Sequence, residues 1–180
     1  MSKRMSTKRI ALCGLMLAMM LIQGWVERVL IQPMMMSIPI LNVAFALPGI
    51  KLGLANSVLI FAVYMLDIPT AYVLMVFKVF LSNLLFGSLG VTFAMGFAGG
   101  VASLTAMVLI SRIKGMHPVT VSIVGGVFHN VGQVLMAMVL MENAVILSIL
   151  PWLILSGLCF GALTGVVATM TMKHLKHMRF

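Results

Sequence analysis

Long apolar runs that never alternate with polar residues constrain this chain most. SVLIFAVYML (57–66) and AYVLMVFKVFL (71–81) show the pattern. Such runs need an apolar solvent, because the chain is 62% hydrophobic and only 8% charged, against about 25% charged residues in a soluble domain. A core built from 180 residues cannot hide that much apolar surface, so lipid is the expected solvent. Within a bilayer every backbone polar group must be satisfied by the protein, which leaves helices or a closed barrel. Barrel strands alternate apolar and polar positions over about 10 residues, and these runs do not. The expected fold class is an all-α integral membrane protein.

Six spanning helices are expected, at about 10–24, 48–66, 70–86, 92–111, 119–141 and 145–172, in a single membrane domain covering 1–180. Residues 25–47, with Pro33, Pro39 and Pro48 in or just after them, read as an interfacial or re-entrant outer cap: too broken for a clean span and too apolar for an ordinary loop. The first apolar run lacks a cleavage-site pattern and is expected to be a retained helix.

Charge sets the expected orientation. The net charge is +9, and it is segregated. With both termini cytoplasmic, the inner side carries Lys3, Arg4, Lys8, Arg9, Arg112, Lys114, Lys173, Lys176 and Arg179, while the outer side carries Arg28, beside Glu27. That asymmetry is the positive-inside pattern for an even number of helices. Cys13 and Cys159 fall in apolar helix interiors and are expected to be small packing residues, neither disulfide nor metal ligand. Small residues recur four apart in Gly157, Gly161 and Gly165, in Gly96 and Gly100, and in Gly14 and Ala18. Such stripes let helix backbones approach closely. Internal packing is the expected use on helices four and six, and Gly125 and Gly126 are likewise read as packing residues.

Chemistry has few places to reside. The acidic residues are Glu27, Asp67 and Glu142; none is paired, and none is expected deep in a helix. No Walker A, aspartate-rich or Cys/His metal pattern is present, so no cofactor, metal or catalytic residue is expected. The polar residues left at membrane depth are cationic or amidic. Lys51 follows a proline–glycine break and Lys78 lies mid-helix. His129 and Gln133 are four apart and share a helix face, with Asn130 turned about 100° from His129. Asn56 adds another amide; Asn83, next to Ser82, reads as helix–helix glue. An intramembrane cation faces a cavity or a partner, and with no buried acid expected near Lys78, a ligand anion is the attractive partner. Lys51, Asn56, Lys78, His129, Asn130 and Gln133 are therefore the candidate ligand-binding residues. The plainer alternative is snorkelling for the lysines and hydrogen bonding between helices for the amides and histidine; the sequence leaves both open.

The strings PGIKLGLANSVLIFAVYML, KVFLSNLLFGSL and GGVFHNVGQ resemble signature segments of the Gx transporter family, also called heptaprenyl diphosphate synthase component I, which is similar to the substrate-binding S components of energy-coupling-factor (ECF) importers. The resemblance covers helix one to helix six. Lys78 is a departure, standing where an arginine is more often expected; it keeps the charge without bidentate anion binding. The resemblance implies a six-helix S-component-like bundle in the bacterial cytoplasmic membrane. It would capture a small, anionic cofactor or a quinone or isoprenoid precursor from outside. A separate transmembrane coupling protein, met by helices one to three, and cytoplasmic ATPases would supply transport; membrane lipid is the other expected partner, and nucleic acid is not one. The alternative is a non-catalytic anchor or assembly subunit of an isoprenoid (heptaprenyl diphosphate) or redox system. Catalysis by this chain is not expected, since clustered aspartates for a diphosphate-bound magnesium are missing.

Overall fold

A computed structural model of the chain describes residues 7–39, 42, 50–86 and 90–175. Among them every regular element is helical. Helix α1 (Thr7–Met36) is one continuous rod of 30 residues. A π-helical turn, Glu27–Ile31, interrupts it and a last turn, Gln32–Met36, completes it. Then come α2 (Asn56–Met65), α3 (Ile68–Leu85), α4 (Val91–Ser111) and α5 (Pro118–Leu140). A 3-10 segment, Ala144–Ile149, leads into α6 (Leu150–Leu175). Five of these stretches are long and apolar enough to cross a membrane. The chain is thus an all-helical, multi-pass membrane protein.

Two elements differ from the sequence reading. The helix expected over 48–66 is only ten residues long, Asn56–Met65, or roughly 15 Å, about half the hydrocarbon thickness. Residues 50–53 carry no helical structure, because side chains take their backbone groups. Lys51 gives its N–H to Gln133, and Leu52, Gly53 and Leu54 give theirs to Glu27. Gly53 also adopts φ +80°, and a Cβ there would sit 2.8 Å from the Asn56 amide and 3.0 Å from the His129 ring, so the chain turns at glycine before α2 begins. The second difference is that the expected outer cap, 25–47, begins as a continuation of α1 up to Met36. Pro33 is tolerated because it stands in the first turn after the π-helical segment, where the hydrogen-bond ladder is already shifted. Of the remainder of that segment, residues 37–39 and 42 are described and the others lie outside the described residues.

α2 is apolar nearly all round, and such a helix belongs at the centre of a bundle. It contacts all five other helices, and Asn56 to Ala62 are all buried. The tightest packing joins α5 to α4 and α6. Gly126 lies against the Gly157 carbonyl and Gly161 Cα, while Gly165 meets the Val119 backbone. Gly100 meets Met75 and Gly96 meets Val79, so the stripes of α4 and α6 serve internal packing. Gly14 differs: a Cβ there meets nothing within 4 Å, leaving that face of α1 open to lipid or protein.

At the start of α3, Asp67 caps the helix by accepting from the Thr70 N–H at 2.8 Å and forms an ion pair with Arg9. Asp67 is therefore paired, and the start of α1 and the α2–α3 turn lie at the same end of the bundle. Cys13 is half-buried against the core, whereas Cys159 is exposed on α6; Cys159 is not the packing residue expected.

Candidate functional site

The site grows from the π-helical turn of α1. A π turn inserts an extra residue per turn and redirects the side chains that follow it. Here Glu27 points inward and is 5% exposed. Its carboxylate accepts from the N–H groups of Leu52 and Gly53 (3.3 Å) on one oxygen and Leu54 (3.2 Å) on the other. The neighbouring Arg28 turns to α3, donating to the Phe86 carbonyl at 3.3 Å and stacking over the Phe86 ring at 4.9 Å. Gln32 donates to the Ile50 carbonyl at 3.3 Å. The C-terminal third of α1 is thereby latched to the 50–54 segment and to α3.

Five of the six candidate residues converge beside this latch. Glu27, Lys51, Lys78 and His129 line one cavity of about 20 Å³, together with Gly53 and Ser82, room for a single water. Lys78 donates to the Asn56 carbonyl at 3.4 Å, and the Asn56 amide donates to Ser103 at 3.3 Å, which links α3, α2 and α4. From α5, Gln133 accepts the Lys51 N–H at 3.2 Å. That contact fixes its amide so that the NH₂ faces His129 Nε2 at 3.1 Å; a ring nitrogen that accepts there leaves the ring proton on Nδ1, which packs against Gly99 without a well-formed hydrogen bond.

Asn130 faces away. It donates to the Leu153 carbonyl at 2.6 Å and to Ser156 at 3.2 Å, both on α6. One step along a helix is a 100° rotation, so Asn130 ties α5 to α6 while His129 and Gln133 face the cavity. Asn130→Leu is therefore expected to cost about 1 kcal/mol of stability and to leave ligand affinity unchanged, measured as the melting temperature and binding isotherm of the purified variant. Asn83, fully buried, donates to Val79 of its own helix at 2.7 Å; a contact with a neighbouring helix is not what holds it.

Glu27 and the backbone amides of 52–54 were missed by the sequence reading. Lys78 does have a buried acid close by: Glu27 shares its cavity and attracts it electrostatically. Two lysines on one glutamate still leave the cluster one positive charge in surplus. A second cavity of about 20 Å³ adjoins, sharing Gly24, Glu27 and Lys51 and adding Arg28, Gln32 and Ile50. Larger cavities lie elsewhere: one of about 120 Å³ where Leu12, Met16, Phe61 and Ala168 bring α1, α2 and α6 together, and one of about 420 Å³ between α4 and α5. Their linings are nearly all apolar, which suits acyl chains rather than a polar ligand.

The acids are spread over three places: Glu27 in the cluster, Asp67 at the α3 cap, and Glu142 in the turn after α5. Among the described residues no three His, Cys, Asp or Glu side chains come together.

Helical spans enclosing a buried, cation-rich polar cluster define a polytopic membrane protein with a polar site inside its bundle. More particularly, the chain belongs to the heptaprenyl diphosphate synthase component I family, whose sequence profile matches residues 12–171. No curated protein and no solved structure matches it.

Proposed function

We propose that this chain is a non-catalytic membrane subunit that captures a small anionic molecule at the Lys51–Lys78 cluster, as the substrate-binding (S) component of an ECF-type importer. The observation that carries this reading is that, inside an apolar bundle, two lysines and one carboxylate line a single cavity, with Asn56, His129 and Gln133 around them. Keeping a surplus cation at that depth is costly, and an anionic ligand group offsets the cost. A cofactor, or a quinone or isoprenoid precursor, combines such a group with an apolar body. Six crossings, with both termini on the cytoplasmic face of a bacterial membrane, fit the charge asymmetry of the sequence. The placement of the three acids in three different parts of the fold, away from any aspartate cluster, supports a non-catalytic role. Energy would come from a coupling protein and cytoplasmic ATPases, and the open face of α1 around Gly14 offers room for such a partner.

A second reading is an anchor or assembly subunit of a heptaprenyl diphosphate or redox system. The small cavity and the largely satisfied hydrogen bonds around it favour this reading, as does the family's name. Native mass spectrometry of gently purified protein, with candidate anions added, separates the two. The capture reading expects one small molecule retained per chain and ATPase subunits recovered by pull-down from the native membrane; repeated preparations retaining none favour the anchor.

A further inference from the structure

The Glu27 carboxylate occupies a place built for an anion. Three successive backbone N–H groups, from Leu52, Gly53 and Leu54, converge on it, and Gly53 supplies the left-handed turn, φ +80°, that points them the same way. Runs of backbone N–H groups in such turns form anion-binding concavities. Lys78 and Lys51 flank the place, and Lys51 makes no side-chain hydrogen bond among the described residues. His129, 2% exposed, lines the same cavity, with its Nδ1 turned to the Gly99 backbone and its Nε2 to Gln133. The two cavities adjoin at Glu27: Gly24, Glu27 and Lys51 line both, Arg28 lines one, and Lys78 with His129 lines the other.

We propose that the amides of residues 52–54, with Lys51 and Lys78, form an oxyanion site held by the chain's own Glu27 in the state described here, and that a carboxylate or phosphate group of a ligand takes Glu27's place. This rests on the anion-capture reading and adds its gate. The ligand's oxyanion reproduces the contacts that Glu27 gives up, so the exchange costs the amides and lysines no partner. Release of Glu27 joins the two cavities and removes one tether of the C-terminal third of α1, leaving the Arg28–Phe86 and Gln32–Ile50 contacts in place.

Full-length protein in phosphatidylcholine nanodiscs, titrated calorimetrically with sodium pyrophosphate, tests the exchange. Glu27→Gln removes the competing charge and is expected to bind pyrophosphate at least about ten-fold tighter than the native chain, whereas Lys78→Met binds it more weakly. In Glu27→Ala, sodium acetate at constant ionic strength is expected to raise the melting temperature and sodium chloride is not, because acetate fills the vacated amide site. If Lys78→Met weakens binding but Glu27→Gln binds no tighter than the native chain, anion capture stands and the exchange is overturned. If neither the native chain nor Glu27→Gln binds pyrophosphate and acetate leaves Glu27→Ala unchanged, both fall. Adding phosphatidylglycerol to the nanodiscs identifies the source of the oxyanion: pyrophosphate binding to Glu27→Gln that is lost there assigns the site to a lipid headgroup, and binding that persists assigns it to a soluble ligand.

Discussion

Gly126→Val is expected to destabilise the bundle by about 3 kcal/mol or more, lowering the melting temperature by roughly 6–12 °C. The cause is backbone against backbone. A Cβ at Gly126 would lie 2.7 Å from the Gly157 carbonyl oxygen and 3.4 Å from Gly161 Cα. No side chain there can swing aside, so α5 and α6 must separate along their whole glycine seam. Their separation also strains the Ser122–Thr164 hydrogen bond (3.0 Å) and the contacts from Asn130 to α6. Gly14→Ala is the control. Its Cβ meets nothing within 4 Å, and alanine favours the helix by about 1 kcal/mol over glycine, so the melting temperature holds or rises slightly. Thermal unfolding of both variants in one detergent checks the pair.

Glu27→Ala is expected to cost about 3 kcal/mol or more, because three buried N–H groups lose their charged acceptor at once. Alanine leaves the Leu52, Gly53 and Leu54 N–H groups without an acceptor and the two lysines without a counter-charge. It also loosens the C-terminal third of α1, leaving the Arg28 contacts with Phe86 and the Gln32–Ile50 bond to hold it. Glu27→Gln keeps one carbonyl oxygen for the amides and loses less. Melting temperatures in neutral-lipid nanodiscs rank the variants: native highest, glutamine intermediate, alanine lowest.

Much of the architecture was legible because run length and missing alternation are properties of contiguous sequence. The spans from α3 to α6 and the packing use of the glycines on α4 and α6 follow from them. α2 was not legible in its true length, since what stops it is a carboxylate 25 residues earlier that takes the Leu52 N–H. The extension of α1 past Pro33 was hidden for a related reason: a π-helical turn has no sequence signature of its own, and the proline read as a break.

The site was legible where a polar residue interrupts an apolar run, as Lys51, Asn56, Lys78, His129 and Gln133 each do. Glu27 stood in a stretch read as an outer cap and was passed over, although its position four residues after Gln23, on the same face of α1, was the available signal. The 100° turn of Asn130 from His129 was legible, but that this face meets Leu153 and Ser156 of α6 depends on helix packing and was not.

The central claim, that the Lys51–Lys78 cluster binds a small anion, is tested most directly by the binding isotherm of an anion retained by the native protein, measured side by side on native, Lys78→Met and Asn130→Leu chains. The account predicts a loss of about 10- to 100-fold in affinity for Lys78→Met, as for removal of a hydrogen bond to a charged group, and no change for Asn130→Leu. Equal affinity of Lys78→Met and the native chain would contradict it.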